Sequence, residues 1–211
     1  MKNLFVRLAT VFFCGAVLAT SSLWLRSSWA LQKPTPLEKK TLAPYIDPDA
    51  YDAYALAMPP ANKMFVVAEP TLGIESTLGV DECIHNTQEF GGQFESALAN
   101  FKDLNRSPKR LVGRWPVQKQ VDVISDADLA KFTKRKKFNW DAFYKRYPLA
   151  IGVFRFSEVG FNTERTTAIF YRSISGGGGF MGDGGFFVLK KINGNWEQQH
   201  TRGANYCIEL H

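Results

Sequence analysis

The most unusual chemistry-bearing stretch is residues 175–185, where seven of eleven residues are glycine. Without Cβ atoms, successive backbone N–H groups can turn inward as an anion-binding nest, and Gly178, Gly179 and Asp183 are its candidate ligand contacts. A phosphate loop is not formed, because no Gly-Lys-Ser/Thr follows and the segment leads into a strand rather than a helix. The plainer alternative is a hairpin connection, the usual work of glycine. Upstream, Phe156-Ser157-Glu158-Val159-Gly160-Phe161-Asn162 and Arg165 place polar groups at a strand end. Ser157 and Glu158 are adjacent, so on a strand they face opposite sides and do not converge as nucleophile and acid. No G-x-S-x-G elbow surrounds Ser157. Asn162 and Arg165 are the easier candidates for ligand binding, beside the alternative of an asparagine in a hairpin turn and a surface arginine.

Two further groupings have functional residue types. Asp81, Glu82, Cys83 and His85 are the chain's one cluster of metal-ligating types. It lacks H-x-x-x-H or C-x-x-C spacing, so no metal site is expected, and no cofactor is implied. Lys134-Arg135-Lys136-Lys137, with Lys131, Lys145 and Arg146 nearby, forms a basic patch followed by Trp140, Phe143 and Tyr144. Basic and aromatic residues together suit an anionic surface: lipid headgroups, acidic polysaccharide or nucleic acid. The helical spacing of the aromatics points to core, and charge runs are usually solvated faces. A weak anionic-surface contact through Lys134, Arg135, Lys136 and Lys137 is the most this patch implies.

The beginning of the chain suggests where it works. Lys2 and Arg7 precede a largely apolar stretch over residues 8–25, and Ser28-Trp29-Ala30 offers small residues at the −3 and −1 positions of a cleavage site. This is the three-part pattern of a secretory signal over residues 1–30, with a periplasmic or secreted product. An uncleaved anchor is the rival, but the stretch is barely long enough to span and is diluted by Gly15, Ser21 and Ser22. Three cations, Lys2, Arg7 and Arg26, leave with the leader and halve the net charge of +6, so a nucleic-acid partner is not expected. Removal of Cys14 leaves Cys83 and Cys207. In an oxidising compartment this pair reads as one disulfide, with two free thiols as the alternative.

The remaining residues suit one domain with its own core. Residues 31–46 hold Pro34, Pro36 and Pro44 and read as a flexible lead-in, so the domain is expected over 47–211. Asp47 and Pro48 open a helix carrying Tyr51, Tyr54, Ala55 and Met58 on one face. Residues 64–68 read as a strand, 71–80 as a loop. Phe90, Phe94, Ala97, Leu98 and Phe101 mark the clearest amphipathic helix. A strand over 117–124, a short helix to about Thr133 and a helix from Asn139 to Tyr147 follow. Beyond residue 150 the pattern becomes strands, with Asn193-Gly194 a strong two-residue hairpin signal. Helices first and strands later predict an α+β fold: an antiparallel meander of about four C-terminal strands plus one or two earlier ones, with helices packed on one face.

The C-terminal half resembles a group of exported bacterial proteins of uncharacterised activity. The shared pattern is Trp140-x-x-Phe143-Tyr144-x-x-Tyr147-Pro148, then Phe156-Ser157-x-Val159-Gly160-Phe161-Asn162, then Asn193-Gly194-x-Trp196, within about residues 84–199. The resemblance implies one exported α+β domain and no particular chemistry. Since no complete catalytic constellation assembles, the expected function is a non-catalytic domain that binds an envelope or extracellular ligand or partner. A hydrolase of envelope or extracellular material, using carboxylates such as Glu158 and Asp183 near the glycine-rich turn, is the alternative.

Overall fold

The computed structural model describes residues 41–59, 64–76, 92–116, 118–135, 137–177 and 182–199. All belong to one compact unit, Lys40–His211. The leader, Cys83, Cys207, Lys136, Gly178, Gly179 and the 81–85 cluster lie outside the described residues.

In chain order the elements are β1 (Pro44–Tyr45), α1 (Pro48–Leu56), β2 (Met64–Ala68), a single 3-10 turn (Ile74–Ser76), α2 (Gly92–Leu104), β3 (Arg110–Leu111), β4 (Gln120–Ile124), α3 (Asp126–Ala130), β5 (Thr133–Lys134), β6 (Lys137–Phe138), α4 (Trp140–Arg146), β7 (Ala150–Phe156), β8 (Gly160–Phe161), β9 (Thr167–Ser175), β10 (Asp183–Ile192) and β11 (Asn195–Gln198). Local chemistry sets several boundaries. The Asp47 side chain accepts from the Asp49 N–H at the start of α1, with Pro48 in the first turn. Ser125 and Asn139 cap α3 and α4 in the same way. Asn193 and Gly194 both take positive φ, 52° and 83°, and close the β10–β11 hairpin as their types require.

The fold is α+β, but the sheet is mixed. Its strand order is β11-β10-β9-β7-β2-β4, with β8 pairing β9 beside this path. β7, β9, β10 and β11 pair antiparallel, whereas β2 lies parallel to both β4 and β7. The early strands therefore do not extend an antiparallel meander. Each is reached through a long connection containing helix, and such crossovers return the chain in its original direction.

Helices also cover both faces rather than one. Along β2, Phe65 and Val67 pack with Tyr51 and Tyr54 of α1, while Val66 and Ala68 pack with Leu129 of α3 and Phe143 of α4. Along β9, Ala168 and Phe170 join the α1 side, while Ile169 and Tyr171 meet Phe94, Ala97 and Phe101 of α2. Phe186-Phe187-Val188-Leu189 of β10 divides in the same alternation. Each fully buried large side chain contributes about 1.5–3 kcal/mol of hydrophobic stabilisation, so these three clusters dominate the fold.

Other boundaries move. The domain begins before residue 47: Tyr45, expected in a flexible lead-in, is buried on the α1 side, and β1 pairs with β3. The strand expected over 117–124 is Gln120–Ile124. Within the expected loop at 71–80, Ile74–Ser76 forms the 3-10 turn. The β5–β6 hairpin, where Thr133 pairs Phe138 and Lys134 pairs Lys137, was not anticipated from the sequence.

Gly160 is where α2 seats on the sheet. A Cβ there would collide with the backbone of Phe101 and Ala97. Neither backbone can move without displacing Phe101 or Ala97 from the core. Gly160→Ala is expected to lower stability by about 1–3 kcal/mol, as overpacking does, read as a shifted urea midpoint; an unchanged midpoint would show that α2 does not sit this close.

Candidate functional site

The residues singled out by sequence fall into three separate places. The first is the β7–β8 connection. Ser157, Glu158 and Val159 have no exposed surface, although they lie between strands. Their backbone groups are satisfied from several elements, as burial demands. Tyr54 Oη donates to the Ser157 carbonyl at 2.6 Å. Asn105 Oδ1 accepts from the Glu158 N–H at 2.7 Å, and its Nδ2 donates to the Glu158 carbonyl at 3.1 Å. The Val159 N–H donates to Tyr45 Oη at 3.1 Å. Ser157 Oγ accepts from the Tyr171 N–H at 2.8 Å and donates to the Glu158 carbonyl. Ser157 thus serves the backbone. Burial pushes the Tyr45 and Tyr54 phenols well above their ordinary range, so both act as neutral hydroxyls.

Glu158 itself is ion-paired: Lys109 Nζ lies 2.7 Å from Oε2, with the carboxylate fully buried and the lysine partly so. Oε1 is buried with no hydrogen-bond partner. Burial raises the Glu158 carboxyl above its ordinary range, and Lys109 offsets this only in part. Asp183, its expected partner carboxylate, pairs with Arg172 at 2.6 Å. Arg172 also donates to the Ala57 carbonyl and lies over the Phe187 ring. Each carboxylate has its own cation, and among the described contacts none joins the two.

The second place is the β8–β9 turn. Asn162 Oδ1 accepts from the Thr166 and Thr167 N–H groups, both at 2.8 Å, and Nδ2 donates to Glu164 and Thr166. Its side chain is used within the turn. Arg165 adopts φ 54°, unusual for a residue with a side chain. Its guanidinium binds Asp47 at 2.7 Å and Asp49 at 2.9 Å, and covers the Phe161 ring at 4.0 Å. Partial burial alone raises the Asp49 carboxyl, but Arg165 and Lys191 more than offset it and hold it below its usual range. Asn162 and Arg165 are thus held by internal contacts that fasten this turn to the start of α1.

The third place is a surface cleft that the sequence only hinted at. One cavity of about 570 Å³ lies between Asp126, Phe138, Trp140, Val153, Arg155 and Ser175. A second, of about 580 Å³, is lined by Lys134, Arg135, Lys137 and Asp141 together with the same Phe138 and Trp140. The two therefore share an aromatic wall. Phe138 holds the Trp140 indole at 4.4 Å between ring centroids, and Tyr144 stacks on it at 5.8 Å. On another side Gly177 approaches so closely that a Cβ would strike the indole, and its N–H donates to Tyr144 Oη at 3.1 Å. Arg155 stands 3.5 Å from Asp126, both partly exposed.

The basic patch forms the outer edge of this cleft. Arg135 takes φ 51° in the hairpin turn, where residues such as Asn or Gly are favoured. Among the described residues no ion pair holds Lys134, Arg135 or Lys137. The sequence signal was present as four consecutive cations before an aromatic cluster, but the hairpin that raises them beside Trp140 was not legible. No group of three or more metal-ligating side chains occurs among the described residues. No helix there is long and apolar enough to cross a membrane. Comparison with known proteins gave no match among family models, curated proteins or solved structures.

Two outcomes follow from these contacts. Arg165→Ala loses the clamp and keeps the strained backbone, costing about 1–2 kcal/mol; Arg165→Gly loses the clamp but relaxes φ, and should be the more stable of the two by about 1 kcal/mol. Equal melting temperatures would show that the turn stores no strain. For Glu158 the folded carboxyl holds its proton more tightly than the unfolded one. Stability should therefore fall as pH rises above about 4.5, the ordinary glutamate value. Asp49 acts in the opposite sense, its contribution being lost as pH falls. Glu158→Gln should abolish the decline above pH ~4.5 and leave the acid limb. Denaturant midpoints across pH check this, and a retained decline would remove Glu158 as its source.

Proposed function

We propose that this chain is an exported domain of the cell envelope that binds an anionic ligand or partner, and that the binding site is the cleft walled by Phe138 and Trp140. The observation that carries this reading is that two neighbouring cavities share the Phe138–Trp140 wall, one lined also by Arg155 and the other by Lys134, Arg135 and Lys137. Lys134, Arg135 and Lys137, which hold no ion pair among the described residues, stand beside a concave aromatic surface and suit an anion better than any other ligand. The strain at Arg135 supports it, because a residue held at φ 51° in an exposed turn costs stability that a glycine there would avoid.

The export part rests on the leader pattern over residues 1–30 and on the motif resemblance in the C-terminal half. The cleft reaches Ser175, at the start of the glycine-rich segment, so the site stays near the turn that the sequence drew attention to. The hydrolase reading has less support: the Glu158 side chain is enclosed and Asp183 is engaged by Arg172.

Retention of the folded protein on immobilised heparin should be strong at low ionic strength and decline steeply with salt. The Lys134→Ser/Lys137→Ser double variant should elute at roughly half the salt concentration of the parent. Absence of retention at low salt, or identical elution of the variant, would defeat the proposal.

A further inference from the structure

The cleft combines features that few anions satisfy together. Its wall is the Phe138–Trp140 pair, which lines both cavities and is fixed before any ligand arrives by Tyr144 and the Gly177 backbone. A preset aromatic surface favours a ligand with a rigid apolar face. Its cations sit in two positions, Arg155 inside and the hairpin at the edge, so the anionic groups of a ligand must be spaced along its length. Its carboxylates are the discriminating element. Asp126 lines one cavity and Asp141 the other. Ionised carboxylates accept hydrogen bonds and donate none. They repel a densely charged phosphate polymer, yet accept from hydroxyl groups. At 3.5 Å the Arg155–Asp126 contact is longer than a good hydrogen bond, so both partners keep capacity for a ligand.

A ligand must therefore bring an apolar ring face, hydroxyl donors and separated anionic groups on one scaffold. A neutral sugar lacks the anions, and polyphosphate lacks both the face and the donors. We propose that the cleft binds an acidic saccharide chain, a polymer of sugar rings bearing carboxylates, with one ring against the Phe138–Trp140 wall, hydroxyls toward Asp126 and Asp141, and carboxylates toward Arg155 and toward Lys134, Arg135 and Lys137. This rests on the reading of the cleft as the binding site and adds the class of its ligand.

The test is calorimetric titration of the whole protein with hexagalacturonate, maltohexaose, polyphosphate of matched charge and single-stranded DNA. Hexagalacturonate should bind at least about tenfold more tightly than each of the other three. Trp140→Phe should weaken hexagalacturonate binding by about tenfold or more and barely alter polyphosphate binding. Asp126→Asn/Asp141→Asn should weaken hexagalacturonate and strengthen polyphosphate, an opposed pair of changes that a misfolded variant would not show. Polyphosphate or DNA binding as tightly as hexagalacturonate would overturn the saccharide assignment, as would Asp variants that change both affinities in the same direction. If polyphosphate binding is weakened by Lys134→Ser/Lys137→Ser in that case, the anion-binding site stands and only its ligand class falls; loss of all polyanion binding removes both.

Discussion

The structure depends on one buried stretch of irregular backbone. Between β7 and β8 the chain leaves the ladder at Ser157-Glu158-Val159 while remaining wholly enclosed. Peptide groups in that position must be hydrogen-bonded or the fold loses the desolvation cost of each. They are held by Tyr54 of α1, Tyr45 of β1, Asn105 just beyond α2 and the neighbouring strand β9. Three distant parts of the chain and the next strand are therefore tied to three residues. This explains why the chain from Pro44 belongs to the domain, and why Glu158 is buried despite its charge: the backbone it sits on is enclosed, and Lys109 partly compensates.

That knot fixes the α1 and α2 sides of the sheet, and the cleft forms at the other end, where cover is less complete. There α3, the β5–β6 hairpin and α4 cross over β2 and β7. Their aromatic residues fill the space next to the sheet through Phe132, Phe143 and Tyr147. Phe138 and Trp140 lie further out and remain partly exposed. The same crossover that makes the sheet mixed also places the basic hairpin beside Arg155 of β7. Architecture and the proposed binding surface thus have a common origin in one long connection.

The two arginines at positive or crowded positions illustrate how local cost is offset at a distance. Arg165 strains its own backbone and recovers the cost through Asp47, Asp49 and Phe161. Arg135 has the same kind of φ with no ion pair among the described residues. The first is explained by stability. For the second, the proposed reason is the edge of the binding cleft that it lines.

By itself the sequence determined the local elements whose signals lie within a few residues: the Asp47, Ser125 and Asn139 caps, the Asn193-Gly194 turn, and the α+β class from helices followed by strands. It also held a clue to two-faced burial, because Phe65-Val66-Val67-Ala68 and Phe186-Phe187-Val188-Leu189 are continuous apolar runs rather than alternations. Tertiary structure alone decided the parallel placement of β2, the enclosure of Glu158 and the meeting of Trp140 with Arg155 and the basic hairpin. The first two depend on contacts between residues far apart in the chain, and the third on how α4 packs against β7. Their free energy comes from burial and partner choice in the assembled fold, quantities that no short window of side-chain types contains.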